Sequence, residues 1–249
     1  MLRFCVLCGV GVLFVITTAC GGTSLFRQYE YEEEVYLSLD GTATVYVNSS
    51  LAALNALRGT AFDANPSARV DRTAVRDYFS GPNAHVLWVR ESRRSNRRFV
   101  HIRLDVDDVR RLSDGAPFAW SRYQFTRDGN QYIYRQAVGA AAMKNAGSAE
   151  WTGRELVAFR LHLPSRITYH NTGRGVGRGN ILVWEQSLTD RLHSVALVLD
   201  ARMDSQSILY HTLWLFGVTF VMVAVGFVLV IWWVMSRGRE GQPGTDGKR

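Results

Sequence analysis

The longest uninterrupted pattern in the chain is apolar. Between residues 205 and 236 there is no Asp, Glu, Lys or Arg, and residues 213–235 are hydrophobic apart from Gly217, Thr219 and Gly226. An amphipathic core helix keeps a polar face and this stretch has none, so the pattern predicts a membrane-spanning helix. At 1.5 Å per residue it reaches about 35 Å, enough to cross a hydrocarbon core of ~30 Å with some tilt. Tyr210 and Trp214 flank one end and Trp232 and Trp233 the other, where amphipathic rings prefer the headgroup region.

Upstream, short stretches alternate between apolar and polar residues with the period of strands. Residues 29–39 and 42–47 lie on either side of Asp40-Gly41, a hairpin signal. Ser49-Ser50 before Leu51, Leu54 and Leu57, with Gly59 as a stop, predicts a capped amphipathic helix. Asp71 is placed to cap a second short helix through Phe79, ended by Gly81-Pro82. Asp105 is placed to cap a third over residues 106–112, after a strand at 99–104. The second half reads as strands: 118–126 and 131–138 around a turn at 127–130, then 156–163, 167–170, 181–185 and 194–203. Trp120, Tyr123, Phe125, Tyr132 and Tyr134 are expected to pack across their hairpin rather than form a ligand platform. The expected fold class is α+β: an antiparallel β-rich extracytoplasmic domain with about three short helices, plus one C-terminal transmembrane helix.

The two ends of the chain set its expected topology. Arg3 and the apolar run 4–16 read as a secretory leader, ending at Thr17-Thr18-Ala19-Cys20-Gly21-Gly22. A small residue before Cys20 and Gly after it resembles a bacterial lipoprotein processing site, which makes Cys20 the candidate lipidation residue; ordinary cleavage and an uncleaved anchor helix are the other two outcomes. Arg237 and Arg239 follow the apolar run, which by the positive-inside rule puts the C-terminus in the cytoplasm. The domains are thus a leader at 1–20, an extracytoplasmic domain at 21–208, the span at 209–235 and a polar, disordered tail at 236–249. The expected location is the cytoplasmic membrane, in a single pass.

Composition narrows the chemistry. Cys5, Cys8 and Cys20 all lie in the leader, so the exported part holds no disulfide, Cys-ligated zinc or Cys nucleophile. The net charge is +7, almost all of the positive charge being Arg. The densest cluster, Arg93, Arg94, Arg97 and Arg98, lies between apolar runs at 85–89 and 99–104 and reads as the loop of a hairpin. It is either a solvated turn or a contact for anionic lipid headgroups, toward which each basic residue contributes ~1 kcal/mol. Nucleic acid is not an expected partner outside a membrane.

Catalytic and metal motifs are missing. The glycine run 173–179 has neither the Gly-Lys-Ser/Thr of a phosphate loop nor a helix behind it, and is expected to connect two strands as a hairpin. The six His include no H-x-x-x-H pair, and no Gly-x-Ser-x-Gly elbow is present. No catalytic, cofactor-binding or metal residue is assigned, and the chain is not expected to be an enzyme.

Several segments together resemble the LppM-type bacterial envelope proteins. They are the Ala19-Cys20 leader end, the first hairpin Leu37-Ser-Leu-Asp-Gly-Thr-Ala-Thr-Val45, Phe159-Arg-Leu-His-Leu-Pro164-Ser-Arg-Ile-Thr-Tyr-His-Asn171, and Gly179-Asn-Ile-Leu-Val-Trp184. A closing strand through Asp200-Ala-Arg202 then leads into the span. The resemblance covers the first and last thirds of the exported domain; residues 59–153 do not align with it. It implies an α+β ectodomain at the cell envelope with lipid or glycolipid binding, and brings no catalytic residues and no cofactor. Membrane lipid, a glycolipid or an envelope protein are the expected partners. A lipid-binding module predicts an internal apolar cavity near the membrane, while an interaction subunit predicts a filled core and an exposed aromatic patch. An enzyme predicts polar groups converging in a cleft.

Overall fold

The computed structural model describes residues 27–143 and 151–237. Cys20 with its leader, and the tail beyond residue 237, lie outside the described residues. Ten strands run in chain order as β1 (Tyr29–Leu37), β2 (Ala43–Ser50), β3 (Ala84–Arg94), β4 (Arg97–Val106), β5 (Ser121–Asp128), β6 (Gln131–Val138), β7 (Leu156–His162), β8 (Ser165–His170), β9 (Ile181–Ser187) and β10 (Leu197–Ser207). They form a six-stranded sheet in the order β3-β4-β2-β1-β7-β9 and a four-stranded sheet in the order β5-β6-β10-β8. The pairing is antiparallel, as expected of an antiparallel β-rich domain, except that β1 and β7 run parallel. Parallel neighbours need a long connection, and here it runs through β2, β3 and β4 of the same sheet and then the β5–β6 hairpin of the other.

Strand alternation decides what each face carries. Along β1, Tyr31, Glu33, Val35 and Leu37 are buried between the sheets, while Glu32, Glu34 and Tyr36 point outward. Val45 and Val47 of β2, Val100, Ile102 and Leu104 of β4, and Val157, Phe159 and Leu161 of β7 extend the inner face. Tyr123, Phe125, Tyr134, Leu199, Ala201 and Met203 oppose them from the four-stranded sheet in one continuous core.

The first helix, α1 (Leu51–Arg58), starts where the Ser50 side chain accepts from the Ala53 N–H at 3.1 Å and ends at Gly59 with φ +73°. Its last carbonyls, Ala56 and Leu57, accept from the Met143 and Ala142 N–H groups, so the helix end is satisfied without water. The second, α2 (Arg72–Phe79), is capped by Asp71 as expected. The third lies later than the sequence predicts: a 3-10 helix at Val109–Asp114 is capped by Asp108, while Asp105 and Val106 remain in β4. Asp105 accepts from the Thr44 hydroxyl across the ladder at 3.0 Å, and that ladder to β2 holds it extended. A further short helix, α3 (Leu188–Leu192), has too few residues to show a period. The last, α4 (Ile208–Arg237), follows β10 without a break.

Two other expectations need correction. The arginine cluster is not a loop: β3 and β4 run on to Arg94 and Arg97, and the turn is Ser95-Asn96 alone, at φ +48° and +56°. Positive φ at both turn residues matches the strand twist, so pairing continues to the tip. The glycine run is not a hairpin either, since it joins β8 in one sheet to β9 in the other. The chain had changed sheets at Pro164, which has no N–H to extend a ladder.

Candidate functional site

The outer face of the six-stranded sheet combines charge with aromatic surface. One cross-strand row reads Trp88, Arg103, Tyr46, Glu34, Arg160; the next reads His85, Asp105, Thr44, Tyr36, His162. Tyr36 stacks on His162 with centroids 3.8 Å apart and meets Tyr46 edge-on at 5.6 Å; Tyr46 in turn meets Trp88 at 6.2 Å.

A cleft of about 720 Å³ opens on this face. It lies at the strand ends, where Leu37, Ser38, Thr42, Ala43 and Val106 line it; Thr44 of β2 is flanked by Arg103 and Asp105 of β4 on one side and by Tyr36 of β1 on the other. The walls stand about 10 Å apart, two strand spacings. His162, Leu163, Pro164 and Gly179 close the far side. Beside it, His162 Nε2 lies 2.6 Å from Glu34 Oε1, and the Tyr36 hydroxyl donates to the same oxygen at 3.1 Å. The hydrogen bond from His162 holds the Glu34 carboxyl below its ordinary pKa, whereas burial, with Glu34 beside it, raises the Tyr36 hydroxyl. Asp107 pairs with His85 at 3.0 Å. These polar groups answer one another between neighbouring strands rather than converging on one point.

Between the sheets, buried apolar side chains form one continuous core crossed by a polar network. Glu33, fully buried, accepts from Tyr123 (2.7 Å), Gln136 (2.8 Å) and Tyr31 (2.8 Å) and pairs with Arg58 at 3.2 Å. The Arg58 guanidinium also donates to the Tyr31 hydroxyl and lies 3.5 Å over the Trp120 ring. Tyr134 donates to Gln136 at 2.8 Å, closing a polar network through the core. A pocket between α2, the 3-10 helix and the start of β5 has a volume of about 110 Å³, below the roughly 300 Å³ at which ligand sites begin. Neither place has room for an acyl chain, so the internal apolar cavity expected of a lipid-binding module is not found at them.

Strand direction locates the cleft relative to α4. Pro164 is followed by Ser165, which pairs with Ser207, the last residue of β10 before α4. The cleft thus lies at the end of the domain where the chain enters its apolar helix. The sequence-predicted arginines lie at the other end, since β4 runs from Arg97 at the tip to Val106 beside the cleft, about 30 Å away. Arg97 pairs with buried Glu30 at 2.7 Å and with Glu155 at 3.2 Å. Arg98 donates to the Pro66 carbonyl, Arg93 to Asn96, and Arg94 to the Tyr29 carbonyl. Charges are screened over ~8 Å in physiological salt. If α4 crosses a bilayer, these arginines reach its headgroups only with the sheet lying along the surface.

The helix α4 is long and apolar enough to cross a membrane, and the stretch 212–237 has no side chain packed against the domain. The Thr219 hydroxyl donates to the Leu215 carbonyl at 2.8 Å, and Arg237 lies over the Trp233 ring at 4.0 Å. The first satisfies the polar group within the helix and the second sets a cation and an indole together at its end.

The sequence analysis did not assign Arg103, Asp105, Thr44, Tyr36 or His162 to a site. Alternation within each strand puts them on one face, but only the pairing of β4 with β2 and of β1 with β7 brings them together, and those pairings are long-range.

No family model matches the chain, and no curated protein matches it. Among solved structures it is weakly similar to the folded domain of the Mycobacterium tuberculosis LppM protein, determined by NMR, at 13% identity and a TM-score of 0.39. The match covers 74% of this chain and 95% of that domain. A TM-score this low carries no argument about fold or function.

Proposed function

We propose that this chain is a membrane-anchored, non-enzymatic module of the bacterial envelope that binds the polar headgroup of a membrane lipid or glycolipid. The supporting observation is the position of the cleft: open, polar and aromatic, it adjoins the strand end from which α4 departs. A ligand with its tails in the bilayer can present its headgroup there without leaving the membrane. The internal apolar cavity expected of a lipid-binding module gives way here to a packed core, which confines this reading to the headgroup and is also what an interaction subunit predicts. In this reading α4 spans the cytoplasmic membrane once, with the cationic end at Arg237 in the cytoplasm and the domain outside.

Photo-crosslinking tests the proposal. With the full chain in nanodiscs carrying a headgroup-diazirine lipid, adducts are expected on peptides containing Tyr36, Thr44 and His162. Adducts confined to α4, or a cleft shielded by a co-purifying protein, would instead make the domain an interaction subunit of an envelope complex.

A further inference from the structure

Two charges in the cleft lack the partner that their neighbours have. Arg160, on the same face, pairs with Glu32 at 2.9 Å, and His162 has Glu34. Arg103 is half-buried with the Tyr46 ring 5.6 Å away, its Nε is buried without an acceptor, and no carboxylate of the described residues is within ion-pair distance. Asp105 accepts from Thr44 through Oδ1 and, among the described residues, is paired with no cation. The two stand on the same face of β4, two residues and about 6.6 Å apart along the strand, yet do not pair with each other. A half-desolvated charge left unpaired is costly, and here one of each sign is left on a single cleft wall.

From this complementarity we infer that the cleft takes a zwitterionic aminoalkyl phosphate headgroup, with its phosphate on Arg103 and its ammonium between Asp105 and the Tyr36 ring. The inference rests on the headgroup-binding reading above and narrows it to one chemical class. A purely anionic headgroup meets Asp105 and Asp107 on the same wall as Arg103. A neutral polyol leaves both charges uncompensated, and a simple cation leaves Arg103 so. The zwitterion answers both, with its phosphate accepting from the guanidinium fork. A primary ammonium, rather than a methylated one, supplies N–H donors to the remaining Asp105 oxygen, and Tyr36, 41% exposed, offers it aromatic surface. The position beside α4 selects the membrane lipid over the free phosphoamine as its source.

The test uses the full chain in a non-ionic detergent, titrated separately with dihexanoyl phosphatidylethanolamine, dihexanoyl phosphatidylglycerol, free phosphoethanolamine and an alkyl glucoside, and followed by NMR at Thr44 and His162. The ethanolamine lipid is expected to bind at least about tenfold tighter than the glycerol lipid. Asp105→Asn should erase that preference, and Arg103→Gln should weaken both phospholipids by about tenfold, with Arg103→Lys recovering most of the loss. Arg90→Gln, outside the cleft, should change nothing. Unperturbed Tyr134 resonances certify that each variant is folded. Equal affinity for the two phospholipids, tightest binding by the glucoside, or a preference that survives Asp105→Asn overturns the zwitterion while leaving headgroup binding intact. Free phosphoethanolamine binding as tightly as the lipid overturns the membrane source. If no probe perturbs the cleft, the proposed function fails as well.

Discussion

Glu33 shows how burial turns an ordinary surface residue type into a structural one. Its carboxylate has no exposed surface, and Arg58 opposite it is 2% exposed. Removing one member of such a pair strands the other in a medium that solvates it poorly. Arg58→Met is therefore expected to destabilise the domain by about 3–5 kcal/mol, whereas Arg27→Met, which removes the half-exposed partner of Glu185, should leave the urea midpoint nearly unchanged. Urea unfolding of the detergent-solubilised chain compares the two. Gly139 is constrained differently: its N–H donates to the Trp120 carbonyl at 2.6 Å, and an added Cβ would stand 2.3 Å from that same oxygen. Gly139→Ala must push β6 and the β5 entry apart, an expected loss of about 1–3 kcal/mol, read as a lowered urea midpoint. The signal for Glu33 was present in the sequence, since it lies in phase with Tyr31, Val35 and Leu37. What alternation could not show was Arg58 and Tyr123 waiting for it from other elements.

At the scale of elements, legibility followed locality. The cap at Ser50, the stop at Gly59 and the cap at Asp71 are all set by residues within one turn, and each was readable. Gly59→Ala should cost about 1 kcal/mol through its positive φ, with added crowding because the new Cβ would lie 3.1 Å from Ala142 Cβ. Loss of helical signal at Leu51 in hydrogen exchange would report it. The third helix was misplaced because Asp105 and Asp108 are both competent caps, and the cross-strand bond to Thr44 decides between them. Carboxylates in the turns and on the outer face also set the acid response. The Thr42 hydroxyl lowers Asp40, Arg110 lowers Asp108, and His162 lowers Glu34. A carboxylate that titrates lower when folded than unfolded contributes stability above its unfolded pKa and loses it as pH falls through the folded one. The urea midpoint should thus hold at neutral pH and decline below about pH 4, and Glu34→Gln should flatten part of that decline.

For the molecule as a whole, the β-rich class, the three local hairpins and the apolar helix were readable, while the division into two sheets was not. Nothing local says that the chain leaves one sheet at Pro164, returns after the glycine run, and lays β7 parallel to β1; these are long-range pairings chosen by which faces can be buried together. The cleft depends on them entirely. One more consequence follows from β10 running into α4 with no residues between. On the proposed reading, the strand and helix together act as a ruler that sets the stand-off of the cleft from the bilayer. Inserting Gly-Ser-Gly-Ser between Ser207 and Ile208 would lengthen the ruler by up to about 14 Å. Capture of a bilayer-embedded lipid should fall sharply while affinity for the short-chain form stays unchanged. In that account the anchor does more than retain the domain: it sets the height at which the cleft reads the surface.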